Sequence, residues 1–319
     1  MPEQPSFSDL DFQHKRRKTR REQFLERLEA LVPWPRLEAL IRPHYPEGER
    51  GRRPYSLPVM LRVHTVQVCH NLSDPAMEDL LYDSEAVRRF AGLRLSGPIP
   101  DESTILHFRH LLERHQLGQE LFEEIKACLG EQGMVLKEGT IVDATIIQAP
   151  SSTKNREGLR DPEMRQVRKG KQYYFGMKLH IGVDAETGMV HSMVTTPANV
   201  HDVTQAGRLL HGAERQVWGD AGYTGVGKRE ENQELDVEWL VTLKPGRRRL
   251  LERGSREDLV EKGKVSVRAK VEHPFWSVKG IFHYQPDAPI EVKGWSEACS
   301  QTCAGLRILR GRDSVSGNG

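Results

Sequence analysis

The 319-residue chain is long enough for one large domain or two domains of ordinary size. Its hydrophobic fraction of 37% and charged fraction of 29% are those of a globular protein, and a net charge of +2 excludes an overall polycation. Because no apolar run could span a membrane and the N-terminus lacks a signal-peptide core, we expect a soluble protein. The cysteines are scattered and predict neither a disulfide framework nor a paired zinc motif: Cys69, Cys128, Cys299 and Cys303.

The basic residues are concentrated in two separate segments. Residues 14–21 read HKRRKTRR, with six Lys or Arg and no acid, and residues 244–270 hold ten basic residues against four acidic ones. Two such segments predict a polyanionic partner such as nucleic acid. For either segment alone, a solvated surface is an equally good interpretation.

The first half of the chain has helical periodicity. In REQFLERLEALV, the apolar residues Phe24, Leu25, Leu28 and Val32 share one stripe, and the prolines around Trp34 are predicted to end that helix. Further helices are predicted to begin near residue 56, at residues 74–75 in DPAMEDLLYDSEAVRRFAGL, and after residue 101 in IPDESTILHFRHLLERHQL. Short helices with tight turns suit a helix-turn-helix DNA-binding region, although many helical bundles look similar.

After Gly139 the sequence becomes β-branched and apolar. We predict a strand in TIVDATIIQAP, then a hairpin of strands at residues 173–183 and 189–196 around a turn at residues 185–188. A helix over residues 200–212, a short strand in QVWGDAGYTG, another helix and a strand in VEWLVTLK follow, which describes a mixed α/β sheet. Residues 151–171 are predicted to form a loop or flap, and residues 285–319 an irregular tail.

Three acids stand out against this pattern. Asp143 interrupts an apolar strand, where a buried carboxylate needs a partner or a cation. Asp220 ends a short strand at a Gly-flanked turn, a place from which acids commonly point into a cleft. Glu272 is the lone acid of the basic stretch SVRAKVEHPFWSVKG. Either aspartate could instead bind backbone amides, and Glu272 alone could be a solvated residue of an amphipathic helix.

Taken together, these carboxylates predict a metal site. Hard divalent ions such as Mg²⁺ take oxygen ligands and share them with substrate phosphates. Two such ions can activate a water or a 3′-hydroxyl and stabilise the leaving oxygen of a phosphodiester. Basic residues near the acids would then hold the phosphate backbone.

Several segments, in order, resemble DDE transposases of the insertion-sequence-five family. They are IPDESTILHFRHLLE, IVDATIIQAP, KLHIGVDAETGMVHS, TPANVHD, GDAGYTG and SVRAKVEHPF, and the resemblance spans about residues 7–284. It implies an α/β fold, with an N-terminal helical DNA-binding region followed by an RNase H-like mixed sheet with flanking helices. It also implies that the chain binds the terminal inverted repeats of an insertion sequence and catalyses strand cleavage and strand transfer.

The resemblance assigns Asp143, Asp220 and Glu272 as catalytic metal ligands for two Mg²⁺ ions, which Mn²⁺ can replace. The family's signature around the third acid is Tyr, two residues, Arg, three residues, Glu, six residues, Lys. Arg268 and Lys279 stand at the Arg and Lys spacings, as expected contacts to terminal DNA. The tyrosine position holds Val265, which departs from the pattern. His201 and Asp202 also match the family and are interpreted either as support for the site or as a polar helix start.

The expected partner is double-stranded DNA, both element ends and target, bound by a homodimer. Further DNA contacts are expected from the basic arm: Lys15, Arg16, Arg17, Lys18, Arg20 and Arg21. The resemblance also implies a cytoplasmic, nucleoid-associated bacterial protein. Predicted domain limits are residues 1–30 for the arm and first helix, 31–135 for the helical region, 136–284 for the catalytic domain and 285–319 for the tail.

The tail departs from the family pattern, and a reading-frame change near Tyr284 is our hypothesis for that departure. Because the tail differs, two alternatives to an active transposase stay open. One is a DNA-binding protein that recognises element ends but is catalytically impaired, and the other is a nonspecific nuclease of the same fold. The presence of all three acids argues against a mere binding module.

Overall fold

The computed structural model describes residues 15–46, 48, 53–70, 72–133, 138–149 and 162–276. Seven α-helices precede the sheet in these residues: α1 (Arg20–Leu31), α2 (Trp34–Ile41), α3 (Leu57–His70), α4 (Asp74–Asp83), α5 (Glu85–Ala91), α6 (Glu102–Arg114) and α7 (Leu117–Glu131). Three more follow it: α8 (Pro245–Arg248), α9 (Arg256–Arg268) and α10 (Glu272–Trp276). The predicted tail, 285–319, and Lys279 lie outside the described residues.

The helix starts follow their capping residues. Thr19 and Glu22 form a capping box at the start of α1, and the side chain of Asp101 accepts a hydrogen bond from the backbone of Thr104 at the start of α6. The predicted single helix after residue 74 is instead two helices, because Ser84 ends α4 and caps α5. Helix α2 was missed, since Pro35 lies in its first turn, where a proline is tolerated.

Six strands form one mixed sheet: β1 (Gly139–Gln148), β2 (Arg165–Lys169), β3 (Gln172–Asp184), β4 (Val190–Pro197), β5 (Gln216–Gly219) and β6 (Glu238–Val241). Strands β4, β3 and β1 are antiparallel neighbours, and β1, β5 and β6 are parallel neighbours. This order, three antiparallel strands followed by two parallel ones, is the RNase H-like arrangement and confirms the predicted fold class. Strand β2 pairs with the first residues of β3.

Three details of the predicted sheet region were wrong. Residues 165–169 are a strand rather than part of a loop, because β3 is long enough to pair with β2 before it reaches β4. The helix predicted over residues 200–212 is a 3₁₀ helix, Asp202–Leu209. The helix predicted between β5 and β6 is replaced by three short 3₁₀ turns: Ala221–Tyr223, Val226–Lys228 and Glu230–Asn232.

The two faces of the sheet pack against different partners. One face, including Ile141 and Ile181, belongs to a core that continues into the N-terminal helices and reaches Val271 after α9. The other face, including Val142 and Val217, packs against the 3₁₀ segments through Leu209 and Tyr223. Strand alternation therefore decides which face each polar residue of β1 and β5 joins.

No helix of the described part of the chain is long and apolar enough to cross a membrane. Cys69 and Cys128 are buried free thiols.

Candidate active site

Strand register places Asp143 and Asp220 beside each other. The parallel pairing of β1 with β5 puts Ile141 opposite Trp218, and two residues further along each strand come Asp143 and Asp220. Ile141 and Trp218 both contact the core shared with the N-terminal helices, so the aspartates two residues later lie on that same face. The two carboxylates predicted from the sequence are thus brought together by the fold.

Asp143 is a largely buried carboxylate with few donors. Its Oδ1 accepts a hydrogen bond from the backbone N–H of Ala144 at 2.7 Å, and its Oδ2 lies 3.4 Å from Nη2 of Arg268. Burial raises the pKa of Asp143 to about 6, and the neighbouring charge of Asp220 adds to the rise against the opposing effects of Ala144 and Arg268. A cation beside this carboxylate would stabilise its ionised form.

Asp220 follows β5 directly and keeps an extended backbone. Its Oδ1 accepts a 2.8 Å hydrogen bond from the N–H of Gly222, which fixes the turn after the strand. A Cβ at Gly222 would come within 2.9 Å of that carboxylate oxygen, so the glycine permits this close approach. Asp220 therefore binds a backbone amide, which was the alternative to a role in a metal site. It nevertheless lies level with Asp143.

Tyr223 is a buried residue of this region that the sequence interpretation missed. Its hydroxyl has no hydrogen-bond partner among the described residues. Burial raises the pKa of Tyr223 well above its usual value, and the charges of Asp143, Asp202 and Asp220 raise it further. The tyrosine therefore lies within electrostatic reach of three acids, one of which, Asp202, is the acid of the ANVHD segment.

Asp202 is bound by one residue of β3 and lies near a second. Nζ of Lys178 donates to Oδ1 of Asp202 at 2.8 Å and to the carbonyl of Val200 at 2.7 Å. Nδ1 of His180 lies 3.9 Å from the same carboxylate oxygen. Burial lowers the pKa of His180 to about 4, so the imidazole is neutral near pH 7. A lysine and a histidine two residues apart in the apolar strand GMKLHIGVD were the signal that could have predicted this cluster.

Glu272 begins α10 and is exposed. Its side chain makes no hydrogen bond or ion pair with another residue in the described ranges, so the structure does not bring its carboxylate into contact with the two aspartates. Arg268, four residues earlier on a nearly continuous helical path, does contact Asp143. Residues four apart share a helix face. The backbone of Glu272 therefore lies about one helical turn beyond Arg268, the residue that contacts Asp143.

The basic arm is only partly free for a ligand. Lys15 forms an ion pair with Glu22, and Lys18 forms one with Glu26 at 2.6 Å. The remaining four cations of the predicted set are exposed: Arg16, Arg17, Arg20 and Arg21. Their assignment as DNA contacts stays a prediction.

A second polar cluster, the Glu214 network, consists of Thr140, His191, His211 and Glu214. Oε1 of Glu214 accepts hydrogen bonds from Thr140 Oγ1 at 3.1 Å and from the N–H of His211 at 2.7 Å, and Oε2 accepts one from the N–H of Gly212 at 2.7 Å. Side-chain nitrogen and oxygen atoms of His191, His211 and Glu214 lie within 4.8 Å of one another, close enough to surround a metal ion.

The hydrogen bond that His211 accepts argues against a metal ion in the Glu214 network. Nδ1 of His211 accepts a hydrogen bond from the N–H of Ala213, so in the neutral ring the proton is on Nε2, the nitrogen that faces Glu214. A protonated Nε2 cannot ligate a metal. The arrangement favours a hydrogen-bonded network that ties the start of β1 to β4 and to the loop before β5.

Two family models match the chain. One, described as a transposase DDE domain, matches residues 136–286. The other, described as a transposase domain (DUF772), matches residues 12–111. The chain therefore carries a transposase DDE domain, which supports a transposase of the DDE type.

Two solved structures are similar to this transposase at low identity. A cryo-EM structure of the piggyBac transposase synaptic complex with hairpin DNA is 10% identical, with a TM-score of 0.47, over 92% of this chain and 74% of that one. A crystal structure of the Mos1 strand transfer complex is 15% identical, with a TM-score of 0.25, over 86% of this chain and 81% of that one.

The DDE domain offers a donor set that suits a hard divalent cation. Asp143 and Asp220 supply carboxylate oxygens at one level of the sheet, and the pKa of Asp143 is raised by burial and by its acidic neighbour. A divalent ion placed against these oxygens offsets both effects. The residues present therefore fit the metal that a DDE transposase implies.

Proposed function

We propose that this transposase binds the terminal inverted repeats of an insertion sequence and catalyses metal-dependent cleavage of DNA and strand transfer. The observation that carries the proposal is the register that sets Asp143 level with Asp220 on adjacent parallel strands. The segments quoted above support the finer assignment to the insertion-sequence-five family. A homodimer on DNA belongs to the proposal, because two element ends require two active sites.

In this proposal Asp143, Asp220 and Glu272 hold two Mg²⁺ ions, which Mn²⁺ can replace. When bound, such ions activate the attacking oxygen and stabilise the leaving oxygen of the phosphodiester. The proposal is supported by Asp143 and Asp220 lying level with each other, on β1 and directly after β5. The exposed Glu272 would complete the set by turning its side chain toward them from its position one helical turn beyond Arg268.

Arg268 has a distinct role in the proposal. Its guanidinium lies 3.4 Å from Asp143 and its side chain is 26% exposed, so it faces both the carboxylate and the surface. In the free protein it balances part of the charge of Asp143. On DNA, the same group would contact a phosphate next to the reacting one, since a guanidinium matches phosphate oxygens in a bidentate geometry.

The proposal is tested with the purified full chain and a duplex that carries the inverted repeats flanking its gene. Wild type is expected to nick this duplex in Mg²⁺ and to stop when EDTA is added. Asp143→Asn and Asp220→Asn should lower the rate at least about a thousandfold while leaving binding of the duplex intact. The matched control is Asp236→Asn, an exposed acid just before β6 that should cleave normally.

The outcomes separate the alternatives. Specific binding of the repeats without Mg²⁺-dependent cleavage by the wild type would replace the proposal with a DNA-binding protein that is catalytically impaired. Equal cleavage of unrelated DNA would indicate a nonspecific nuclease. Normal cleavage by Asp143→Asn would show that the aspartate pair is not the catalytic centre.

A further inference from the structure

The segment between β6 and the start of α9 carries an unusual concentration of exposed, unpaired cations. We call residues 244–256 the basic segment. Its cations are all exposed and, among the residues that the structure describes, make no ion pair and no side-chain hydrogen bond: Lys244, Arg247, Arg248, Arg249, Arg253 and Arg256. Glu252 is the sole acid within the segment.

Elsewhere in the molecule, cations are commonly neutralised by nearby acids. Arg36 binds Glu124 and Glu131, and Arg109 binds Asp74 at 2.8 Å. Lys262, the next cation after the basic segment, binds Asp258 at 2.7 Å. That hydrogen bond from Lys262 is the main cause of the lowered pKa of Asp258, and Arg248 contributes only a smaller share. The basic segment thus keeps most of its positive charge available to a partner.

The fold brings the start of the basic segment to the edge of the sheet that holds Asp220. Strands β5 and β6 are parallel, with Gly219 opposite Val241, so their carboxyl ends meet at one edge. Asp220 follows β5 there, and the basic segment begins three residues after β6. The backbone N–H of Leu243 donates to Oε1 of the buried Glu261 at 2.6 Å, which fixes this exit against α9.

A single helix leads from the end of the basic segment to the residue that contacts Asp143. Helix α9 starts at Arg256 and ends at Arg268, whose guanidinium contacts that aspartate. Thirteen helical residues span about 20 Å. At about 3.4 Å per base pair, this length corresponds to about six base pairs of B-DNA. About six base pairs of duplex are therefore long enough to span the length of α9, from Arg268 beside Asp143 to the end of the basic segment.

We infer that the basic segment is a sequence-independent docking surface for the phosphate backbone of duplex DNA about half a helical turn from the reacting phosphate. This inference rests on the proposed function and adds a surface to it. Unpaired arginines on an exposed loop and a four-residue helix supply charge and planar donors, but no recognition element that enters a groove. Their contribution to binding is electrostatic and depends on salt.

The test uses the full chain and a triple variant, Arg247→Gln with Arg248→Gln and Arg249→Gln. Binding of two duplexes of equal length, one with the element's repeats and one unrelated, is measured from about 50 to 200 mM salt. The slope of log K against log salt should become shallower by about 3, and both duplexes should bind at least about tenfold more weakly at the lower salt concentration. The matched control, with lysine at the same three positions, should keep most of the affinity.

Folding and function are checked separately. Thermal unfolding confirms that the glutamine variant is folded, and a second variant, Arg253→Gln with Arg256→Gln, repeats the test at the other end of the segment. An unchanged slope in both variants, beside a wild type that cleaves DNA, overturns the inference alone. Weaker binding of the repeat duplex only would contradict sequence independence. A wild type that binds neither duplex overturns the proposed function as well.

Discussion

Two polar clusters lie three residues apart along β1, and they differ in how many hydrogen bonds their carboxylates accept. In the Glu214 network, the carboxylate accepts three hydrogen bonds from well-placed donors. Around Asp143, the carboxylate has one short backbone donor and one distant guanidinium. The first cluster has the pairing of a structural site, and the second has the unmet charge typical of a site that receives a ligand.

The two clusters also differ in how deeply their carboxylates are buried. The side chain of Glu214 is fully buried. The free-energy cost of removing this carboxylate from water therefore has to be offset by hydrogen bonds within the protein. Asp143 is 15% exposed in its side chain and lies level with the carboxyl end of β5, where an ion or a phosphate can approach it. The hydroxyl of Tyr223, without a partner in the described structure, lies in the electrostatic field of Asp143 and Asp220. The comparison predicts opposite responses to removal of the two carboxylates.

The largest effect is expected at the structural cluster. Glu214→Ala should lower the free energy of unfolding by about 3–5 kcal/mol, because it leaves two backbone N–H groups and the hydroxyl of Thr140 without their acceptor. Denaturant unfolding measures this loss. Glu214→Gln keeps one acceptor oxygen and should lose less, about 1–2 kcal/mol. A loss below about 1 kcal/mol for the alanine variant would show that the network contributes little to stability.

Asp143→Asn should do the opposite and stabilise the metal-free protein at pH 8. The folded pKa of about 6 lies above the usual 3.8, so the ionised carboxylate is disfavoured in the folded state. The wild type therefore gains stability as the pH falls from about 6 to about 4, and above pH 6 it lacks that contribution. The variant should gain up to about 3 kcal/mol at pH 8, with the advantage gone below pH 4.

The measurement is thermal unfolding in EDTA across this pH range, with Asp236→Asn as a control that should match the wild type throughout. Adding Mg²⁺ should raise the melting temperature of the wild type and leave that of Asp143→Asn unchanged, since only the former keeps the carboxylate. A lower melting temperature for Asp143→Asn at pH 8 in EDTA would contradict the prediction.

Much of the sheet and the aspartate pair could be predicted from the sequence. Asp143 and Asp220 were found because an acid within or beside an apolar strand is conspicuous, and the sheet then places the two at one level. Lys178 and His180 were overlooked although they also interrupt an apolar strand, because their partner Asp202 is brought close only by tertiary packing. The sequence pattern reveals which polar residues interrupt an apolar strand, whereas the fold determines which residues they contact.

In the helical region, too, the sequence pattern did not decide where one helix begins. Pro35 was interpreted as a helix end, since proline lacks a backbone donor, yet it occupies the first turn of α2, where that donor is not needed. Sequence alone does not distinguish these two positions. The exposure of Glu272 agrees with its interpretation as a solvated residue. The sequence could not decide between that interpretation and a metal ligand, because the proposed partners lie more than fifty residues away in the chain and the signature specifies only spacing.

His180 should make the protein less stable in mild acid. Burial lowers its folded pKa to about 4 from the usual 6.5, so the unfolded chain binds the proton more readily and stability is lost as the pH falls from 6.5 toward 4. Between these pH values the wild type should lose about 2–3 kcal/mol of its free energy of unfolding. His180→Gln, whose side chain can still form a hydrogen bond with Thr196, should not show this loss. Unfolding at several pH values tests this expectation. His107→Gln, an exposed control, should keep the wild-type pH dependence.

The smallest expected effect distinguishes the charge of Lys178 from its packing. Lys178→Met keeps the buried stem and removes the ammonium that binds Asp202 and Val200, at a cost of about 1–2 kcal/mol. The same charge lowers the pKa of His180, whereas Asp202 raises it. The variant should therefore move the His180 pKa upward, which an NMR titration of its ring protons detects. Lys169→Met, at an exposed lysine of β2, should leave that pKa unchanged. If the His180 pKa were the same in Lys178→Met as in the wild type, burial alone would determine that pKa. The charge of Lys178 would then have no measurable effect on the imidazole.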